Sequence, residues 1–163
     1  MKIIMLMFFL LLGCSSRAGS SKDYILTFHS IWESKDIGLA LKKINGLHKI
    51  EEDSEYEVYG LEDRIKMFSL SVTVLKTTGR IVSIVAPLNR GEEVSSQIIK
   101  NKIKSDDWKT YEHPRKGTDF IQLDVTEYSE KLGVGFAYDK LDKEKKTRMI
   151  YWGVNPKDIQ QIL

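Results

Sequence analysis

Few side chains in this protein combine a reactive type with a usable spacing. The one cysteine is Cys14, and the histidines are His29, His48 and His113. No two histidines stand at the spacing of a His-Glu-x-x-His pair, so a catalytic metal would need ligands converging from distant segments. The serines offer no Gly-x-Ser-x-Gly elbow, and beyond Cys14 there is no thiol nucleophile. Glu51-Glu52-Asp53 and Asp106-Asp107 are the raw material of a carboxylate pair or a hard-cation site. Adjacent residues on a strand or turn point apart, however, and neither cluster has the glycine-punctuated spacing of a calcium loop. Both read as solvated turns. Gly133 and Gly135 lie inside a strand pattern rather than in a Gly-x-Gly-x-x-Gly opening a helix, which argues against phosphate binding. These residues predict no catalysis and no cofactor.

The amino terminus is more specific. After Met1-Lys2, Ile3 to Leu12 is an uncharged apolar run of ten residues, half the roughly 20 needed to span a bilayer. A basic start, a short apolar core and a small residue before the cut describe an export signal. Leu11-Leu12-Gly13-Cys14 resembles the lipobox of bacterial lipoproteins. The resemblance implies cleavage between Gly13 and Cys14, a diacylglycerol on the Cys14 thiol, and acylation of the new amino group. More than one acyl chain makes a stable membrane anchor. In Gram-negative lipoproteins an aspartate after the cysteine commonly retains the protein in the inner membrane, so Ser15 points to the outer one. The expected organisation is a signal peptide at 1–13, a lipidated tether at 14–23 and a single domain at 24–163. As a random coil, the tether spans about 15–18 Å, holding the domain near the lipid.

Composition narrows the partners. Without Lys2 the chain carries 24 basic and 23 acidic residues, a net charge of +1. Such balance gives no electrostatic preference for nucleic acid. With Cys14 lipidated there is no disulfide, so stability must come from the core.

The elements that must position the remaining candidates follow from periodicity. Ile37, Ala40, Leu41 and Ile44 predict a helix over 36–45, with Ser34 as N-cap and Asn45-Gly46 as its stop. Tyr56 to Tyr59 reads as a strand. Phe68, Leu70, Val72 and Val74 alternate with polar residues, and after the turn at Thr77-Thr78-Gly79-Arg80 the strand Ile81–Ala86 completes a hairpin. Val94, Ile98, Ile99 and Ile103 predict a helix over 92–104. Strands are expected at 108–112, 121–126, 132–138 and 148–153, and a terminal helix from Asn155-Pro156 to Leu163. The fold class is therefore α+β, an antiparallel sheet with helices on one face. The order suggests two similar halves, 30–88 and 89–153. This layout resembles the tandem halves of β-lactamase-inhibitor-protein-like and outer-membrane assembly lipoprotein architectures, without any shared residue motif.

Two features suggest binding. Gly133, Gly135 and Ala137 make a small-residue strand face that another backbone or helix, first of all one of the same domain, can approach closely. Trp108 to Lys116 joins aromatic rings to a basic, proline-containing loop, the composition of an interface anchor. The partner-binding candidates are Trp108, Tyr111, His113, Arg115 and Lys116, while Lys109, Arg115 and Lys116 would also suit anionic headgroups. The expected role is a lipid-anchored envelope protein that binds another envelope protein as an assembly or scaffold factor. The alternatives are an inhibitor or immunity protein blocking an exported toxin or hydrolase, an envelope hydrolase, and a small-ligand carrier.

Overall fold

The computed structural model describes residues 23–61, 70–88, 93–113 and 123–158. The expectations for residues 1–22, including Gly13 and Cys14, and for Phe68, Arg115, Lys116, Ile121 and the chain after Asp158 lie outside them.

The elements in order are helices α1 (Asp23–Ser34) and α2 (Ile37–Lys43), then strands β1 (His48–Glu52), β2 (Tyr56–Gly60), β3 (Ser71–Leu75) and β4 (Arg80–Pro87). There follow β5 (Val94–Ser95), α3 (Ser96–Lys102), β6 (Trp108–Glu112), β7 (Val125–Ser129), β8 (Val134–Tyr138), β9 (Lys146–Thr147) and β10 (Met149–Trp152). Eight strands form one antiparallel sheet in the order β1-β2-β3-β4-β10-β8-β7-β6, and β5 pairs with β9. The sheet is thus two runs of four strands that meet where β10 lies against β4, Met149 opposite Pro87 through Trp152 opposite Ile84. The helices pack on one face, as expected for the α+β class. Ile25 and Ile31 of α1, Ala40 of α2 and Ile99 of α3 share a core with Val72, Val74, Ile84, Val134, Phe136, Ile150 and Trp152. No helix among the described residues is long and apolar enough to cross a membrane.

Local chemistry explains where elements begin and end. Asp36 rather than Ser34 caps α2, its carboxylate accepting from Gly38 N at 2.8 Å. Ser34 closes α1 instead, donating to Ile31 O at 2.8 Å. Helix α1 was not expected. The helix predicted over 92–104 starts only at Ser96, because Val94 and Ser95 are drawn into pairing with Thr147 and Lys146. The strand predicted over 121–126 is displaced to 125–129. Leu123 and Val125 would share a face in a continuous strand, yet Val125 joins the main core and Leu123 a smaller cluster on the opposite face.

One side chain ties α1 to the second run of strands. The Trp32 indole donates Nε1 to Leu132 O at 2.9 Å. Its ring rests against Gly133 in the β7–β8 turn and Gly153 just after β10, which are themselves joined by Gly153 N to Gly133 O at 2.8 Å. Gly133 and Gly153 have φ of +63° and +71°, a region that L side chains enter at a cost. A Cβ on Gly153 would lie 2.6 Å from the Trp32 ring, and closer still to Val82 O.

Helix α3 is held by charge. Lys100 pairs with the carboxylate of Glu127 on β7, whose side chain is only 5% exposed, and Tyr138 donates to the same carboxylate at 3.0 Å. A buried carboxylate satisfied from two sides is tolerated, whereas one stripped of a partner is expensive.

The Trp32 contacts predict an order of costs in urea unfolding. Trp32→Phe should lose about 1 kcal/mol with the indole hydrogen bond, and Trp32→Ala about 3–5 kcal/mol. Gly153→Ala combines strain with overlap and should cost at least about 2 kcal/mol. A Gly153→Ala protein as stable as wild type would contradict this docking.

Candidate functional site

The sheet face away from the helices carries the candidate site. Directly opposed residues share a face in an antiparallel sheet, and the register sets Ser71, Val85, Tyr151, Gly135, Tyr128 and Lys109 in one row across β3, β4, β10, β8, β7 and β6. The adjacent row on this face is Pro87, Met149, Ala137, Thr126 and Tyr111. Three tyrosines therefore stand on this side of the second run of strands.

Gly135 makes their arrangement feasible. The Tyr151 ring lies directly over it, and a Cβ at that position would collide with the ring. Tyr151 then stacks with Tyr128, ring centroids 6.4 Å apart and planes within 14°. The small-residue face expected at Gly133, Gly135 and Ala137 is thus split. Gly133 belongs to the turn and packs against Trp32 of α1, while the space above Gly135 is filled by Tyr151 and not by a helix. Val85, Leu123, Ala137, Met149, Tyr151 and Val154 form a satellite core here, with Tyr128 at its margin. Burial pushes the Tyr151 phenol up, and likewise that of Tyr128, where the Glu130 charge adds to the effect.

Beyond this margin is a cavity of about 410 Å³ lined by Tyr111, Tyr128, Glu130, Val154, Asn155 and Lys157, among others. Its one acidic group among the described residues is paired: Lys109 donates to Glu130 at 2.8 Å, and the Tyr111 hydroxyl lies 3.5 Å from the other Glu130 oxygen. Lys109 is held above the usual lysine range by that carboxylate. The rings supply apolar area with polar ends, and the charged pair sits at an exposed margin.

The structure separates the partner-binding candidates. Tyr111 and His113 lie on the cavity side of the sheet. Trp108, three residues before Tyr111, points to the helix face, its ring 5.3 Å from Phe136. Arg115 and Lys116 lie outside the described residues. Glu130, Asn155 and Lys157 were not singled out from sequence, because only the long-range register of β6, β7 and β10 brings them beside Tyr111.

The titratable clusters also have places. His29 is on α1, 3.6 Å from Glu33, while His48 and His113 belong to opposite edges of the sheet. They share no site. Asp53 accepts from Glu55 N and Tyr56 N at 2.7 Å each, and Glu52 pairs with Lys49 and Lys76. Asp107 accepts from the hydroxyls of Ser105 and Ser129 and from Lys131 N, which hold it far below the usual carboxylate range. Both acidic clusters are turn fasteners. No group of three or more His, Cys, Asp or Glu among the described residues is placed to hold a metal.

His113 gives a pH prediction. Its N–H donates to Asp124 O at 2.8 Å and its Nε2 lies 3.3 Å from Thr126 Oγ1. Burial holds its pKa below the ordinary 6.5, partly offset by Asp124. The unfolded chain therefore takes up the proton first, so stability is full above about 6.5 and falls as pH drops towards the folded-state pKa. Histidine-resolved NMR titration should show this low pKa, and His113→Leu should flatten the acid limb of the stability profile. A His113 titrating at or above the ordinary value would contradict it.

Comparison with known proteins finds no matching family model, no matching curated protein and no matching solved structure.

Proposed function

We propose that this protein is a bacterial envelope lipoprotein that works without catalysis, binding another envelope protein as an assembly or scaffold factor. Leu11-Leu12-Gly13-Cys14 supports the anchor, and Ser15 favours the outer membrane. Confinement by a lipid on Cys14 would raise the local concentration of the domain for neighbours on the same surface. The observation that carries the binding role is the Tyr111–Tyr128 cavity on the side of the sheet away from the described helices. Tyrosines beside a small concavity, bordered by an exposed Lys109–Glu130 pair, are the composition of an interface centre and its polar rim.

Two measurements test the two parts separately. Metabolic labelling with palmitate should mark the wild type and not Cys14→Ser, and mass spectrometry should find Cys14 as the acylated first residue. An intact leader or a bare thiol would refute the anchor. Crosslinking and pull-down from intact envelopes should recover a partner whose binding weakens by about 30-fold, or 2 kcal/mol, in Tyr111→Ala and Tyr128→Ala. Unchanged recovery with both rings removed would rule out this site.

A further inference from the structure

Strand β6 ends the sheet, pairing with β7 on one side and, among the described residues, with no strand on the other. In an antiparallel ladder, alternate residues turn both backbone groups towards the neighbour. His113 N donates to Asp124 O at 2.8 Å. Counting back along the register, Tyr111 and Lys109 face β7 in the same way. The N–H and C=O groups of Trp108, Thr110 and Glu112 therefore point away from the sheet.

The two sheet edges are built differently. At the far edge, β1 is fully exposed, and its pairing with β2 is broken by a register shift between Lys49 and Glu51. A bulge of this kind deters further pairing. β6 runs through five successive pairs without a shift and contains neither proline nor glycine. We infer that the outer edge of β6 pairs with β6 of a second copy of this chain, antiparallel about a two-fold axis at Thr110, joining two sheets into one.

The side chains select that register. An axis at Thr110 pairs all three outward-facing residues, setting Thr110 against Thr110 and Trp108 against Glu112 of the other copy. It places Lys109 opposite Tyr111, an ammonium beside a ring. An axis at Lys109 opposes two lysines, and both it and an axis at Tyr111 leave one of the three outward residues without its counterpart on β6. A self-complementary patch is what an isologous dimer requires. The pairing rests on the backbone edge of β6, and although it shares Lys109 and Tyr111 with the cavity rim, Thr110 takes no part in the cavity, so variants at Thr110 test the edge alone.

Sedimentation equilibrium of the full chain in density-matched detergent tests it. Wild type should show a concentration-dependent dimer. Thr110→Pro removes the outward N–H and leaves every bond to β7 in place, so dimerisation should weaken by about 30-fold, as two symmetry-related hydrogen bonds are lost. Thr110→Lys and Thr110→Glu place like charges across the axis; each should be monomeric alone, and an equimolar mixture should dimerise. Circular dichroism of every variant separates loss of pairing from loss of fold, and the Lys and Glu pair decides the matter if the proline variant fails to fold. A wild type that stays monomeric, a dimer that survives in a folded Thr110→Pro or in Thr110→Lys alone, or a mixture that stays monomeric would overturn the inference.

Discussion

The docking of Trp32 is the constraint on which the rest of the fold depends. Its indole touches the turn after β7 and the residue after β10, while α1 packs over β4. One ring thus fixes α1 to the second run of strands, beside the seam, where Gly153 approaches Val82 O of β4. Both contact positions have left-handed backbones, and at Gly153 the ring and a carbonyl occupy the volume a Cβ would need. That close approach sets how α1 lies on the sheet. With the three described helices on one side, the described residues of the opposite face form a thin satellite core and the tyrosine-lined cavity.

Polar contacts follow the same logic of fastening. The Glu127 carboxylate, among the most buried acidic groups, is met by Lys100 from α3 and by Tyr138 from β8. Asp107 gathers two hydroxyls and a backbone N–H at the base of the β7–β8 turn. Each charge that stays close to the core draws segments distant in sequence together, the case in which a buried polar group helps to specify structure.

Much of the fold was legible where one face of a strand is buried. Val72 and Val74 alternating with Ser71 and Thr73 mark β3, because period two is all that a half-buried strand requires; β8 is buried on both faces, and it was legible because Val134, Phe136 and Tyr138 alternate with the small Gly135 and Ala137. Helix α1 was not predicted, although Tyr24, Phe28, Ile31 and Trp32 lie at helical spacing within Asp23–Ser34. The displaced β7 shows a different limit. Leu123 and Val125 satisfy strand alternation but are sent to opposite faces by the path of the chain, which neighbouring residues do not encode. At the candidate site, Tyr111 and His113 were recognisable as an aromatic and basic group. Trp108 lies on the other side of the sheet from them, as a separation of three along a strand requires. Glu130, Asn155 and Lys157 reach the cavity only through cross-strand register, a tertiary fact.

The position of β10 carries a consequence for how the molecule is made. The last strand among the described residues occupies the middle of the sheet, between β4 and β8. Until the ribosome has released that segment, β4 presents an open ladder of donors and acceptors with no neighbour, and β8 does the same. Closure must wait for contacts distant along the chain, which is slow because the entropy of the intervening loop is lost before the contacts form. The nascent protein therefore has an interval in which two raw strand borders face the surrounding medium, a hazard that a holdase or prompt delivery would relieve. Premature termination before Met149 would leave two half-sheets with no common centre.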